Sequence, residues 1–292
     1  MIIGIFGSKY KTERIGQVRH VFEKLHQLKA TIYIDTAFFS FLVEELDYTP
    51  PLNGLLTDSE PYPINAALSI GGDGTFLQTA TKIGRQGIPI LGINTGRLGF
   101  LADVTTEEIN EALEELVRGK YSIEERSLLQ LHTDSPAFKG QSYALNEVAI
   151  LKRDTSSMIT VHAFLNHEYL SSYQADGLVV ATPTGSTAYS MSVNGPIILP
   201  QCNNFVLSPV APHTLNVRPL VIPDSYTLTM TVESRNNSFL VSLDGNSAVL
   251  PIGVKLSIKK ADFTIKIIKR LNHTFYQTLR DKLMWGADKR MQ

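Results

Sequence analysis

The sequence predicts two domains: a parallel α/β sheet over residues 1–120 and an all-β domain over residues 121–270, with a final helix in residues 271–292. In the first part of the chain, apolar runs alternate with segments of helical periodicity. From Tyr121 onward, short apolar strands follow one another between turn residues. At 292 residues the chain is long enough for two domains, each with its own hydrophobic core.

The first domain opens with a strand, a helix and a second strand. Residues 2–6 and 31–34 are the apolar strands, and a helix is predicted between them from the spacing of Ile15, Val18, Phe22, Leu25 and Leu28. Another helix is predicted around residues 38–46, before a proline-rich loop that reaches Asn65. Two more strands, "AALSI" and "IPILGIN", precede a helix with a threonine cap, early glutamates and a stop at Gly119.

The second domain is predicted from a series of segments rich in β-branched and aromatic residues. These segments are "LLQLHT", "YALNEVAILK", "MITVHAFLN", "GLVVATP", "NFVLSPV", "YTLTMTVE", "SFLVSLDGN", "VKLSIKK" and "FTIKIIKR". The ending "FYQTLRDKLMWG" returns to helical spacing, with Phe275, Leu279 and Leu283 on one face. We expect this helix to pack on the first domain.

Composition limits the classes of function. The chain has 27 Lys and Arg against 28 Asp and Glu, which predicts no nucleic-acid partner and no attraction to an anionic membrane. No apolar run reaches the ~18 residues of a membrane span, and the first residues lack the basic region of a signal peptide. With Cys202 as the single cysteine, we expect a cytoplasmic protein without disulfides. The histidines form no metal-binding motif, so no protein metal ligand is predicted.

The segment 66–80, "AALSIGGDGTFLQTA", places Asp73 among three glycines between a strand and a helix. Backbone N–H groups at such a turn can receive a phosphate, and Thr75 adds a hydroxyl near the first helical turn. Because a carboxylate repels phosphates, a functional Asp73 would either bind a bridging Mg²⁺ or accept the proton of an attacking hydroxyl. The alternative is a tight turn in which Asp73 caps the helix. Neither a P-loop motif nor G-x-G-x-x-G is present.

Two further segments are candidate binding sites. Residues 175–197, "ADGLVVATPTGSTAYSMSVNGPI", are rich in hydroxyl groups and glycine, which suits a neutral polar ligand such as a ribose or an amide-bearing ring. A Ser/Thr-rich turn capping a helix near Ala188 is the alternative. Asn146 and Glu147 interrupt an apolar strand, and both can face one ligand only if the strand ends or bulges there. An edge-strand turn is the alternative at that position.

Several motifs together resemble bacterial NAD kinases, and their order and spacing run through nearly the whole chain. They are "GGDGT" (71–75), "LGINTGRLGFLAD" (91–103), "NE" (146–147), "ADGLVVATPTGSTAYS" (175–190), "SPVAPHTLNVRPL" (208–220), "LDGN" (243–246) and "KLMWG" (282–286). GGDGT has close counterparts in 6-phosphofructokinases and in diacylglycerol and sphingosine kinases, whereas the TPTGSTAYS block is far more specific.

The resemblance implies that ATP, or in some members polyphosphate, phosphorylates the 2′-hydroxyl of the adenosine ribose of NAD to give NADP. It also implies an N-terminal Rossmann-like α/β domain, a C-terminal all-β domain that binds NAD, and a C-terminal helix that returns to the first domain. Members of the family are commonly homodimers or homotetramers. Phosphoryl-transfer chemistry adds a divalent ion, Mg²⁺, bridging the donor phosphates.

The same resemblance assigns roles to residues. Asp73 would be the general base and Gly74 would lie against the same nucleotide, while Asn146 and Glu147 would hold NAD by polar contacts. Asp176 would lie near the nicotinamide half. Phe100 is a candidate for the pocket wall, with an ordinary core residue as the alternative. The remaining NAD-binding positions are Gln174, Thr187, Ala188, Tyr189, Ser190, Met191, Ser192, Ala211 and Asn246.

Several positions depart from the family pattern. Gln174 stands where arginine or lysine is frequent, and Asn246 replaces a frequent glutamine. Asn194 and Met284 stand where glycine is common, and Ser157 occupies a position that often has a larger polar residue. These departures bear on the strength and selectivity of nucleotide binding rather than on the reaction.

Two other functions compete with this hypothesis. A related sugar-phosphate kinase would need clustered Arg and Lys near its motifs, and a lipid kinase would need a membrane-facing surface; the sequence suggests neither. A non-catalytic NADP(H)-binding sensor would keep the fold without turnover. The intact Asp73 argues against that sensor.

Overall fold

The computed structural model describes residues 1–9, 15–57, 61–96, 99–138, 142–153 and 157–286. It divides into two compact units, Met1–Glu125 with Ile265–Gln292, and Arg126–Thr264. Within the described ranges, no helix is long and apolar enough to cross a membrane.

The first unit is built on a parallel sheet with the strand order β5-β4-β1-β2-β3, beside which Ile267 of a later strand pairs with Ile90. The predicted α/β class is therefore confirmed. Its elements are β1 (Ile2–Gly7), α1 (Ile15–Gln27), β2 (Thr31–Asp35), α2 (Thr36–Glu44), β3 (Gly54–Leu56), β4 (Ala66–Gly71), α3 (Asp73–Ile83), β5 (Ile90–Asn94) and α4 (Ile109–Val117).

Local sequence explains most of these elements. All residues of β4 and β5 are buried, as expected for central parallel strands with continuous apolar runs. A capping box between Thr105 and Glu108 precedes α4, and Gly119 follows that helix at a φ of 69°. Strand β3 lies inside the predicted loop. It is short and, among the described strands, pairs only with β2, so its flanking prolines do not interrupt a central ladder.

The second unit is mostly antiparallel β structure. One sheet has the order β13-β12-β11-β8-β15-β16, and a second set of strands has the order β10-β9-β14-β17, with β6 pairing β7. Side chains from both sets share one apolar core. The elements are β6 (Tyr121–Thr133), β7 (Tyr143–Ala144), β8 (Glu147–Leu151), β9 (Ile159–Leu165), β10 (Glu168–Ala175), β11 (Gly177–Ala181), α5 (Tyr189–Ser192), β12 (Asn204–Val210), β13 (Leu220–Pro223), β14 (Leu228–Ser234), β15 (Ser238–Leu243), β16 (Asn246–Pro251) and β17 (Leu256–Arg270).

The structure corrects several strand predictions. Strands β10, β13 and β16 were not predicted, because "EYLSSYQA" is largely polar and both "LVIP" and "NSAVLP" end in proline. The segments "VKLSIKK" and "FTIKIIKR" form the single strand β17, and "YALNEVAILK" is divided into β7 and β8. Both β6 and β17 cross a boundary between the units, so the change in composition at Tyr121 precedes the structural boundary at residues 125 and 126.

The final helix, α6 (Phe275–Leu283), belongs to the first unit, as expected. Thr274 caps its N-terminus by accepting a hydrogen bond from the Gln277 N–H. Met284 is the C-cap residue, and its φ of 52° lies in the left-handed region. Asn194 also has a positive φ, 65°. At both positions the backbone conformation favours glycine, which agrees with the glycine expected there from the sequence resemblance.

Candidate active site

The GGDGT segment joins β4 to α3, which begins at Asp73. A Cβ on Gly71 would lie 2.3 Å from Thr75 Oγ1, so only glycine fits there. Gly72 and Gly74, in contrast, have no heavy atom of a neighbouring described residue within 4 Å of a Cβ position. Because Gly72 is the N-cap residue, it leaves the first N–H groups of α3 without a side-chain cap, the arrangement in which a helix N-terminus can receive an anion.

The Asp73 carboxylate is held by the turn that follows β5. Its Oδ2 accepts a hydrogen bond from the Phe100 N–H at 2.9 Å, and its Oδ1 accepts from the Leu101 and Ala102 N–H groups at 3.0 Å each. A Cβ on Gly99 would lie 2.0 Å from Oδ1, so the turn needs glycine to enclose the carboxylate. Asp73 therefore anchors a distant turn and does not cap its own helix, which corrects the alternative interpretation.

A fourth contact on Asp73 comes from α6. Lys282 Nζ lies 3.3 Å from Asp73 Oδ2 and 4.3 Å from the centroid of the Phe100 ring. Phe100 is 8% exposed, and its ring centroid is 6.1 Å from that of Phe275. The side chains of Asp73 and Lys282 are 30% and 29% exposed, so solvent reaches both charges. Lys282 was not among the residues predicted from the sequence, although "KLMWG" is one of the motifs.

Two threonine hydroxyls near this turn differ in their contacts. Thr75 Oγ1 is 2.7 Å from Ser8 Oγ, so the hydroxyl predicted to meet an anion already has a partner. Thr95 follows β5, donates its N–H to the Gly71 carbonyl at 3.3 Å and is 4% exposed. In the part of the chain that the structure describes, the Thr95 hydroxyl has no hydrogen-bond partner. A buried hydroxyl without a partner is unfavourable, so this group is a ready donor or acceptor for a ligand.

In the second unit, the interrupted strand at Asn146 and Glu147 is explained by Asp244. The Asp244 carboxylate accepts hydrogen bonds from the N–H groups of Leu145, Asn146 and Glu147 at 2.6, 2.9 and 3.0 Å. Strand β8 begins at Glu147, after this corner. Asp244 itself has a φ of 49° in the turn between β15 and β16, where aspartate is tolerated. No role for Asp244 was predicted from "LDGN".

The hydroxyl-rich segment packs against the same corner. The Asn146 carbonyl accepts the Thr182 N–H at 2.9 Å, and a Cβ on Gly185 would lie 2.1 Å from that carbonyl oxygen. Thr182 Oγ1 donates to the Leu145 carbonyl at 2.6 Å and accepts from the Gly185 N–H at 3.0 Å. The close approach of the two segments requires glycine at position 185.

Most hydroxyls of this segment stabilise the protein itself. Ser186 bonds to the Pro183 carbonyl and the Ile198 N–H, and Ser190 Oγ lies 2.9 Å from Ser208 Oγ with both serines fully buried. The turn interpretation therefore describes Thr182, Ser186 and Ser190 better than direct ligand binding by their hydroxyls. Thr187, Ala188, Tyr189 and Met191 are half-buried, whereas Ser192 is exposed.

Glu147 lies in an acidic and largely buried environment. Burial, together with the nearby charge of Asp244, raises the pKa of the Glu147 carboxyl to about 7, although a hydrogen bond from the Tyr189 backbone N–H lowers it. Burial also raises the pKa of the Asp244 carboxyl and of the Tyr189 phenol, the latter with help from Glu147 and Asp176. Glu147 Oε2 is buried without a hydrogen-bond partner among the described residues. Near neutral pH, Glu147 can therefore either donate or accept a hydrogen bond.

The other predicted NAD-binding residues surround β10, β12 and β16. Asp176 pairs with Lys152 at 2.7 Å, a cation that was not predicted from the sequence. Gln174 is exposed and its carbonyl accepts the His213 N–H at 2.9 Å. Ala211 is exposed at a φ of 44°, and Asn246 is exposed at the start of β16. In the described residues, no group of three or more His, Cys, Asp or Glu has the arrangement of a metal site.

Comparisons with known proteins agree along the whole chain. Residues 52–121 match the family model of the ATP-NAD kinase N-terminal domain, and residues 145–270 match that of the C-terminal domain. A curated NAD kinase of Bacteroides fragilis is 49% identical over 291 residues, covering 100% of each chain. Yeast NADH kinase complexed with NADH has the same fold, with a TM-score of 0.87 and 21% identity over 100% of this chain and 90% of its own. An NAD kinase from Archaeoglobus fulgidus in complex with ATP has a TM-score of 0.76 and 26% identity, covering 97% of this chain and 99% of its own.

Proposed function

Because the chain belongs to the NAD kinase family, whose reaction is the ATP-dependent phosphorylation of NAD, we propose that Asp73 is the general base of this reaction. The acceptor is the 2′-hydroxyl of the adenosine ribose. The observation that supports this role is the geometry of the carboxylate: backbone N–H groups fix it from one side, and its side chain remains 30% exposed at the N-terminus of α3. A fixed, accessible carboxylate is what proton transfer from a bound hydroxyl requires.

The ribose 2′-oxygen forms a bond to the γ-phosphorus of ATP while the bond between that phosphorus and the β–γ bridging oxygen breaks, and ADP leaves with the electron pair. The hydroxyl proton passes to the Asp73 carboxylate and is later released to water. The open backbone at Gly72 and Gly74 leaves room for phosphate oxygens at the N-terminus of α3.

The second unit is proposed to bind NAD. Asn146 and Glu147 would make polar contacts with the substrate from the corner that Asp244 fixes, and Asp176 would contact the nicotinamide half. Glu147 suits hydroxyl recognition because its carboxyl can donate or accept near neutral pH. The remaining contacts are assigned to Gly74 of the first unit and to Gln174, Thr187, Ala188, Tyr189, Ser190, Met191, Ser192, Ala211 and Asn246, with Ser190 contributing its backbone.

The divalent ion is proposed to arrive with the donor, as MgATP. The described residues contain no three-ligand cluster of His, Cys, Asp or Glu, and the Asp73 carboxylate is already surrounded by N–H groups. The donor phosphates would therefore supply most ligands of the ion, as is usual for Mg²⁺. We propose that the reaction takes place in the cytoplasm, in a homodimer or homotetramer.

The test is NADP formation from NAD and MgATP, detected with an NADP-specific dehydrogenase. Asp73→Asn is expected to lower kcat by ~10²–10⁴-fold, because general-base catalysis contributes about that much. Calorimetric titration should show NAD binding within threefold of the parent. Asp281→Asn, at an exposed position of α6, is the matched control and should retain turnover.

Each alternative predicts a different result. If Asp73→Asn keeps the parent kcat, Asp73 is not the base; if the variant loses NAD binding as well, its role is structural. A non-catalytic sensor would bind NADPH and form no NADP with ATP, polyphosphate or NADH. A sugar-phosphate or lipid kinase would consume ATP only with its own acceptor.

A further inference from the structure

Four donors surround the Asp73 carboxylate in the described part of the chain. A carboxylate offers about four lone-pair sites. Asp73 accepts from the N–H groups of Phe100, Leu101 and Ala102, and Lys282 Nζ lies 3.3 Å from its Oδ2. The four contacts match the number of acceptor sites, so a substrate hydroxyl gains a full acceptor site when one of the contacts is released.

Lys282 is the donor that can leave without unfolding a turn. The other three donors are backbone groups of one turn, whereas Lys282 reaches Asp73 through a flexible side chain that is 29% exposed. Its contact is also the longest of the four, at 3.3 Å against 2.9–3.0 Å. The Phe100 ring, whose centroid lies 4.3 Å from Nζ, keeps the ammonium near the site when the contact with Asp73 breaks.

We propose that Lys282 releases Asp73 when the substrates bind and that its ammonium then contacts a terminal phosphoryl oxygen of the donor. This inference rests on the proposed role of Asp73 as general base. The ammonium stays beside the N-terminus of α3, where the backbone at Gly72 and Gly74 is open to a phosphate. A cation there stabilises the negative charge of the transferring group, and its departure frees Oδ2 for the ribose hydroxyl.

The Thr95 hydroxyl independently indicates that a ligand is received beside this turn. It is buried without a hydrogen-bond partner among the described residues, and the Thr95 N–H donates to the Gly71 carbonyl. Thr95 and Gly71 lie at the carboxyl ends of the adjacent parallel strands β5 and β4, the edge at which α/β proteins bind ligands. Lys282 would thus join a ligand site that the fold already provides.

The test compares Lys282→Met, which keeps an apolar stem without the charge, with Lys282→Arg, which keeps the charge. Lys282→Met should lower kcat by ~10²-fold, since removing one donor to a developing anion costs about that much. The kcat of Lys282→Arg should remain within about fivefold of the parent value, because the arginine cation still reaches a phosphate. Arg280→Met, exposed on the same helix, should leave kcat unchanged.

A phosphate probe distinguishes a contact between Lys282 and the donor phosphate from a role limited to positioning Asp73. The apparent affinity for inorganic tripolyphosphate, measured by its competition with ATP, should weaken about tenfold in Lys282→Met, whereas NAD binding should stay within threefold. Unchanged competition, or none even in the parent, would overturn the phosphoryl contact. An equal loss of kcat in Lys282→Met and Lys282→Arg would also overturn the proposed contact with the phosphoryl oxygen. If Asp73→Asn abolishes turnover while Lys282→Met does not, only this inference fails; if Asp73→Asn retains turnover, the proposed general base fails.

Discussion

The Asp244 carboxylate accepts a hydrogen bond from the backbone N–H of Glu147 at 3.0 Å. The residue that positions Glu147 therefore also carries a charge that helps to raise the pKa of the Glu147 carboxyl. The same carboxylate holds the N–H groups of Leu145 and Asn146, which ends the preceding strand and turns the Asn146–Glu147 pair. Both carboxyl pKa values are raised, chiefly by burial. Asp244 therefore influences both the backbone geometry of Asn146 and Glu147, the proposed NAD contacts, and the protonation of the Glu147 carboxyl.

Asp244→Asn should destabilise the second unit. The asparagine amide keeps one acceptor oxygen but turns N–H donors toward at least one of the three backbone N–H groups. Leaving a buried donor without an acceptor costs about 1–3 kcal/mol, which should appear as a lower Tm. Asp176→Asn is the matched control, since Asp176 is part-exposed and its pair with Lys152 should contribute below ~1 kcal/mol. Equal Tm values for the two variants would contradict this account of the corner.

Glu147→Gln should stabilise the protein progressively as the pH rises. In the unfolded chain a glutamate titrates near ~4.3, whereas the folded pKa of Glu147 is about 7. The folded state therefore binds more protons between these values, and its stability falls as the pH rises through that window. Glutamine removes this penalty, which approaches about 4 kcal/mol above pH 7. Tm measured from pH 5 to pH 8 should show a widening advantage for the variant.

Glu168→Gln provides the control for that titration. Glu168 is exposed at the start of β10, in the same unit. Its Tm difference from the parent should stay constant over the same pH range. A constant difference for Glu147→Gln as well would mean that the Glu147 carboxyl is not perturbed by its surroundings.

Sequence patterns predicted the local parts of the site and missed its long-range partners. Asp73 could be recognised because its flanking glycines are its neighbours in the chain. Lys282 could not, because it approaches Asp73 across 209 positions and lies on an ordinary-looking amphipathic helix. The role of Asp244 could not be predicted for the same reason. Its hydrogen-bond partners are 97 to 99 positions away, and "LDGN" by itself indicates only a turn.

For the hydroxyl-rich segment, residues 175–197, the sequence located an unusual feature but could not decide its role. Its composition suits a ligand and a self-bonded turn equally well, and only coordinates distinguish them. Ser190 and Ser208 bond to each other in the interior, a pairing that depends on the register of β12 beside β11. The α/β class, in contrast, was predictable because apolar periodicity and helix caps act over a few residues.

Gly99→Ala and Gly74→Ala should have opposite effects. A Cβ at position 99 would lie 2.0 Å from Asp73 Oδ1, so alanine must displace the carboxylate or the turn. We expect a loss of about 1–3 kcal/mol in the free energy of unfolding, and a kcat reduced by ~10²-fold because the proposed base is misplaced. Among the described residues, no neighbouring heavy atom lies within 4 Å of a Cβ at position 74, so alanine there should keep or raise the Tm as a better helix former.

The Gly74→Ala variant also tests the proposed nucleotide contact. If NAD lies against this backbone, the added methyl group should raise KM for NAD while the Tm stays at or above the parent value. An unchanged KM for NAD would remove Gly74 from the site. A Gly99→Ala variant with parental Tm and kcat would contradict the enclosure of Asp73 by the turn.

Arg270→Met should unfold the first unit more readily than any single change among its carboxylate partners. The Arg270 side chain is 7% exposed and pairs with Glu108, Glu111 and Glu115 at 2.9, 2.5 and 2.7 Å. Its removal leaves the carboxylates of α4 and of the turn before it without their central cation, at a cost of about 3–5 kcal/mol. Glu111→Gln should cost under ~1 kcal/mol, because Glu111 is 68% exposed. The unfolding midpoints of the two variants are measured in urea by far-UV circular dichroism. Equal midpoints for the two variants would show that Arg270 does not fix the end of β17 to α4.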